Sequence, residues 1–232
     1  MIDSLFVYHH MGLGDHIICN GMVRYIVEKV KPTFLYLPVK NHYYESVRSM
    51  YLDDHRIVCL PVNSDNDVPY LINFYGKNGF IKSGFEKTRK DWDVSFYDSV
   101  GIPFSARWDH FNINRNTERE MLLRDMLIIK EPYIVVHDTS VGGGKFEKMN
   151  VDSNGMRVIK IHPHTTNMFD WCSVIETAEE FHGIDSSAVH LAQSLNVKKG
   201  FIHCSNPTPP QKINNERWSF RYYDLGSVRG AV

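Results

Sequence analysis

The sequence predicts an α/β protein: two Rossmann-like parallel-sheet halves facing a cleft. Three observations lead there. Short β-forming runs alternate with segments of helical spacing. The alternation pauses near residues 128–131 and then restarts. Two strand-to-helix turns carry small or hydroxyl residues at the helix start, Gly12-Leu13-Gly14-Asp15 and Asp185-Ser186-Ser187. Strands separated by helices pair in parallel, because a crossover helix is what returns the chain to the same edge of a sheet.

The elements follow in order. Residues 4–9 form an apolar run rich in β-formers, hence a strand. From Asp15 the apolar residues Ile18, Met22, Ile26 and Val30 recur every four positions, hence a helix. Residues 33–38 and 56–62 read as strands around a helix at 41–51. Residues 65–84 fit neither pattern cleanly. Residues 91–100 read as a helix that stops at Gly101-Ile102-Pro103, and 118–127 as another. The second half begins with a strand at 132–137 and a loop carrying Gly142, Gly143 and Gly144. A strand at 156–161 ends in His162-Pro163-His164, and a helix covers 170–178. A strand at 180–184 leads into a helix at 186–195, with Ala188, Leu191, Ala192 and Leu195 on one face. A strand at 199–204 and a proline loop at 206–210 close the pattern. The domain boundaries expected are 1–128 and 129–232.

Composition narrows the function. A chain of 232 residues with 43% hydrophobic and 23% charged residues has the material for a packed core. The net charge of −1 lacks the basic excess of a nucleic-acid binder. Apolar runs such as 34–39 fall short of the roughly 20 residues that span a bilayer. Met1-Ile2-Asp3-Ser4 lacks the basic-then-apolar order of a signal peptide. Cys19, Cys59, Cys172 and Cys204 form no CxxC, so reduced thiols in a cytoplasmic protein are expected.

Three turns carry chemistry. Gly12-Leu13-Gly14-Asp15-His16 joins the first strand to its helix. A helix start offers unpaired N–H groups and a positive dipole end, and glycine lets a ligand come close. Ile17 stands where a dinucleotide fingerprint needs glycine, and no P-loop occurs. A plain reading is a tight turn capped by Asp15. Asp185-Ser186-Ser187 opens a later helix, with His190 on the same face as the serines. That arrangement suits a phosphate; the plain reading is again a cap with a packed histidine. His137 to Lys145 is a glycine-rich loop with one lysine, fitted either to hold a diphosphate or to move as a surface loop. His164 and Thr165 are expected to line the cleft with Gly12, Gly14 and His16. His162 and His164 lack the companions of a zinc site, so no metal is expected. The aromatic residues Tyr97, Phe104 and Trp108, with Arg107, are fitted either to stack on a sugar or base or to pack in the core or between domains, and packing is the expected role.

Residues 181–195 resemble the nucleotide-sugar motif of heptosyltransferase-type GT-B glycosyltransferases: an Asp, a hydroxyl residue, a small residue, then His190-Leu191-Ala192. Asn206-Pro207-Thr208-Pro209 stands in the place of that family's Gly-Pro-Thr-x-Pro-like loop, and Gly14-Asp15 matches its N-terminal Gly-Asp pair. Ser187 departs from the glycine usual there, and no long C-terminal helix is visible. The resemblance implies a minimal GT-B-like fold with an acceptor side followed by a nucleotide-sugar side. It implies inverting, metal-independent transfer from a nucleoside-diphosphate sugar to a hydroxyl of a glycan or similar acceptor, with no separate cofactor. By resemblance, Asp15 is the catalytic base, and Lys145, Asp185, Ser186, Ser187 and His190 hold the donor. Two alternatives remain: a binding module for nucleotides or glycans, and a sugar-nucleotide epimerase or hydrolase on the same scaffold.

Overall fold

The computed structural model describes residues 3–85, 91–130, 132–139, 146, 149–162, 164–204, 212 and 216–223. The first half opens with β1 (Ser4–Tyr8) and α1 (Leu13–Val30). β2 (Phe34–Lys40), α2 (Tyr44–Met50) and β3 (Ile57–Val62) follow. The stretch without a clear period resolves into α3 (Val68–Tyr75) and β4 (Phe80–Lys82). The four strands run parallel in the order β3-β2-β1-β4. Three helices come next: α4 (Trp92–Asp98), α5 (Ala106–Asp109) and α6 (Thr117–Met126).

The second half holds β5 (Tyr133–His137), β6 (Arg157–Lys160), α7 (Cys172–Glu176), β7 (Glu180–Ile184), α8 (Ser187–Ser194), β8 (Gly200–Cys204) and β9 (Trp218–Tyr222). Its strands are also parallel, in the order β6-β5-β7-β8-β9. The described residues between β5 and β6 contain no helix. Two elements, α5 and β9, go beyond the sequence expectations. Cys19, Cys59, Cys172 and Cys204 are buried and unpaired. Among the described residues no helix is long and apolar enough to cross a membrane.

α6 ties the two halves together. α6 lies on α7 and on the helical turn before it, with Leu123 buried in the contact. Arg115, just ahead of α6, donates to Glu176 at 2.7 Å and to Glu120 within α6, also at 2.7 Å. Arg119 clasps Asp170 of the second half at 2.8 Å. α6 thus packs on the second half although it precedes residue 128, and Arg119 also reaches Glu45 of the first half at 3.1 Å.

α1 is the centre of the first half. Residues from His16 to Val23 are all buried, because α1 is covered by its sheet, by α5 and by α8. Gly21 makes the α5 contact possible. A Cβ there would stand 2.2 Å from the carbonyl oxygen of Ala106 and 2.9 Å from that of Arg107. Backbone atoms cannot rotate away as a side chain does. Gly21→Ala is expected to destabilise the fold by about 1–3 kcal/mol despite alanine's better helix propensity. Chemical denaturation of the two proteins checks this; equal stability contradicts the contact.

Candidate functional site

Each sheet has one strand pair where the winding reverses, β1 beside β4 and β5 beside β7. Such a reversal leaves a crevice at the carboxyl ends of the strands, where open α/β sheets bind ligands. The turns singled out in the sequence sit there: Gly12 to Asp15 after β1, His137 to Thr139 after β5, and Asp185 to Ser187 after β7.

The two crevices are brought together by Gly14. A Cβ on Gly14 would lie 3.1 Å from Cδ2 of His190 and 3.5 Å from the backbone nitrogen of Ser187. The first turns of α1 and α8 thus touch with almost no side chain between them. Gly12 is the extended N-cap of α1. Beside this contact opens a cavity of about 410 Å³, walled by Leu13, His42 and Tyr43 of the first half and by His137, Thr165, Trp171, Ser186 and Ser187 of the second.

Ser186 is the N-cap of α8, yet its hydroxyl makes no cap bond. It donates to the Ile184 carbonyl at 3.0 Å and meets Nδ1 of His137 at 3.0 Å. The hydroxyl therefore ties the ends of β5 and β7 together. The first-turn amides of α8 are left without its oxygen, which suits them to an anion. Burial pushes the His137 imidazole below its ordinary range; Asp138 opposes this and His162 adds to it. No lysine or arginine among the described residues lines the cavity. Lys145 and the 206–210 loop lie outside the described residues.

Asp15 is half-buried and sits in the first turn of α1, outside the cavity wall. Its carboxylate accepts the Gly12 N–H at 3.3 Å and the Trp92 indole N–H at 3.2 Å. The plain cap reading is thus realised in part. Burial pushes its pKa up, against the Trp92 bond and the charge of His10. Asp185 faces it from the second half. Although 46% of the Asp185 side chain is open, the surrounding protein raises its pKa to about 6, with Asp93 and Asp15 adding repulsion. Oδ1 of Asp185 lies 3.4 Å from Nε2 of the buried His190.

The remaining predicted residues divide. Thr165 lines the cavity and donates to the Asn167 carbonyl at 2.9 Å. His164 is exposed, with its ring 5.9 Å from that of Trp171, and does not form the wall. His16 is fully buried and lines nothing: its ring packs edge-on to His9 at 4.7 Å, on the core side of α1. One helical step past Asp15 turns a side chain from the crevice into the core. Among the described residues no group of three His, Cys, Asp or Glu side chains gathers as a metal site. Sequence reasoning missed Trp92 as the partner of Asp15, His42 and Tyr43 as a cavity wall, and Arg107 as more than packing.

No protein-family model matches the chain, and no curated protein does. Solved structures do. The glycosyl transferase family 9 protein from Veillonella parvula superposes with a TM-score of 0.58 at 10% identity, over 96% of this chain and 87% of that one. The E. coli ADP-heptose LPS heptosyltransferase II gives 0.56 at 9% identity, over 96% of this chain and 91% of that one. The iron-containing dodecameric glycosyltransferase TibC of enterotoxigenic E. coli gives 0.62 at 12% identity, over 95% of this chain and 63% of that longer one. The fold is theirs. The likeness spans both parallel sheets, the α/β fold expected from the sequence.

His9 and His16 yield a prediction on acid stability. Burial lowers the pKa of His9 to about 4 and that of His16 well below its ordinary value. Nε2 of His9 and both ring nitrogens of His16 have no hydrogen-bond partner among the described residues. Folded-state pKa values below the unfolded value near 6.5 mean that the unfolded chain binds more protons. Stability is then full above about pH 6.5 and falls as the pH drops toward 4. His16→Phe is expected to flatten that fall by up to about 1.4 kcal/mol per pH unit. Melting curves between pH 7 and pH 5 decide; parallel declines in both proteins contradict the burial argument.

Proposed function

We propose that the chain is a glycosyltransferase that moves a sugar from a nucleoside-diphosphate sugar to an acceptor hydroxyl. One observation carries the reading: two helix starts at the carboxyl ends of the two sheets meet at Gly14, with Asp15 on one and the Ser186–Ser187 turn on the other. The likeness of the whole two-sheet fold to chains named as glycosyltransferases supports it.

In this reading the diphosphate lies in the cavity against the first-turn amides of α8. Those amides and the helix dipole carry the charge that develops as the diphosphate leaves. By the sequence resemblance, Lys145 is the cation expected to join them. The acceptor enters from the first half, on the side of the cavity that Leu13, His42 and Tyr43 line. Asp15 takes the proton of the acceptor hydroxyl as its oxygen attacks the anomeric carbon, opposite the departing diphosphate. Attack from the opposite face inverts the anomeric configuration. Burial makes Asp15 the stronger base, and the two N–H groups that it accepts hold it in place. No resident metal is required when the protein supplies these charges.

Transfer from ADP- and UDP-sugars to glycan acceptors is the direct test. Asp15→Asn keeps an oxygen for Gly12 and is expected to cut turnover roughly 10²–10⁴-fold while donor binding persists. Activity is expected to survive EDTA; loss that manganese or magnesium reverses contradicts the charge assignment. A binding module without turnover is the second reading, favoured by the ties that already hold Asp15 to Gly12 and Trp92. Tight diphosphate binding with neither transfer nor hydrolysis decides for it.

A pH dependence follows from Asp185. It protonates as the pH falls through about 6. Protonation removes a negative charge near the proposed diphosphate position. Calorimetric affinity for ADP or UDP is expected to be higher at pH 5.5 than at pH 7.5, and Asp185→Asn to remove the difference. The same slope in the variant places the diphosphate elsewhere.

A further inference from the structure

Arg107 is buried with 1% of its surface exposed, and its partner Asp93 has none. Both belong to the first half, on α5 and α4. Nη1 of Arg107 donates to Asp93. Asp93 also accepts the backbone N–H groups of Val94 at 3.0 Å and Lys212 at 3.1 Å. Nη2 turns the other way and crosses to α8 of the second half. It lies 3.2 Å from Oε1 of Gln193 and 3.4 Å from Nδ1 of His190. The guanidinium stacks on Trp108 at 4.2 Å, so its plane is fixed. The close approach at Gly21 sets the backbone that carries it.

A buried ion pair is a weak stabiliser, because desolvation offsets its attraction. Its effect on geometry is specific. Guanidinium has only donors, so Nδ1 of His190 must accept. The ring proton then sits on Nε2, the atom 3.4 Å from the Asp185 carboxylate. The chain of contacts runs from Asp93 through Arg107 and His190 to Asp185, across the two halves, and ends beside the Ser186–Ser187 turn.

We propose that Arg107 is a positioning residue of the donor site: from the first half it fixes the tautomer and orientation of His190, and through them the Asp185 carboxylate at the start of α8. The proposal rests on the donor-site reading above for its functional consequence. Its structural content stands separately.

Nitrogen-15 spectra of the histidine side chains test it, with His190→Gln assigning the signal among 12 histidines. The protein itself is expected to show His190 protonated at Nε2 and bare at Nδ1; a proton on Nδ1 overturns the proposal with no variant needed. Removing the guanidinium alone would orphan the buried Asp93. The variant is therefore Arg107→Met with Asp93→Asn, which leaves no unpaired charge. In it His190 is expected to become a tautomer mixture, and the fall in calorimetric ADP or UDP affinity between pH 5.5 and pH 7.5 to shift in pH, because the imidazole N–H that steadies the Asp185 carboxylate is lost. An unchanged tautomer, or an unshifted pH profile after the tautomer shifts, overturns the positioning role. If neither nucleotide binds the unaltered protein, the donor-site reading fails, while the spectra still judge the Arg107–His190 link.

Discussion

The site depends on one close approach. The first turns of α1 and α8 meet where Gly14 has no side chain, with Ser187 and His190 directly opposite. A helix start needs partners for its first amides. Here two such starts, each at the reversal point of its own sheet, face one crevice. The placement of Asp15 against Asp185, the reach of Arg107 to His190 and the position of the cavity wall all follow from that contact.

The electrostatics around it are unusual for the anion site proposed above. Asp15, Asp93 and Asp185 crowd the junction, and Arg107 is the buried cation that answers them. The positive counterpart in the cavity is the α8 dipole and its amides, which carry no counter-ion and do not titrate. An anion bound there, as proposed, would couple to proton uptake at the carboxylates. Such a site also makes the relative position of the halves part of the chemistry, because the carboxylates and the cation come from both.

Much of the fold was legible. The four-residue recurrence from Ile18 to Val30 found α1, and the run at 180–184 matches β7 residue for residue. Asp15, Ser186 and Ser187 were singled out because helix starts after strands have a local signature, and Thr165 because it follows a strand; all four lie past the carboxyl ends of strands. What failed was non-local. α5 has only the four residues Ala106–Asp109, too few for a period. β9 alternates Trp218, Phe220 and Tyr222 with Ser219 and Arg221, a period-two signal that could have been read. The sheet that α6 covers, the burial of His16 and the reach of Arg107 depend on packing between segments distant in sequence. A cation beside three aromatics reads as packing until its partner is known.

The most direct measurement of the central claim is a crystal structure with ADP or UDP bound. The account predicts the diphosphate within about 3 Å of the Ser187 and Ala188 amides, in the cavity beside Gly14. A diphosphate bound instead in the polar pocket of about 280 Å³ that Lys199, His203 and Arg221 line would contradict it.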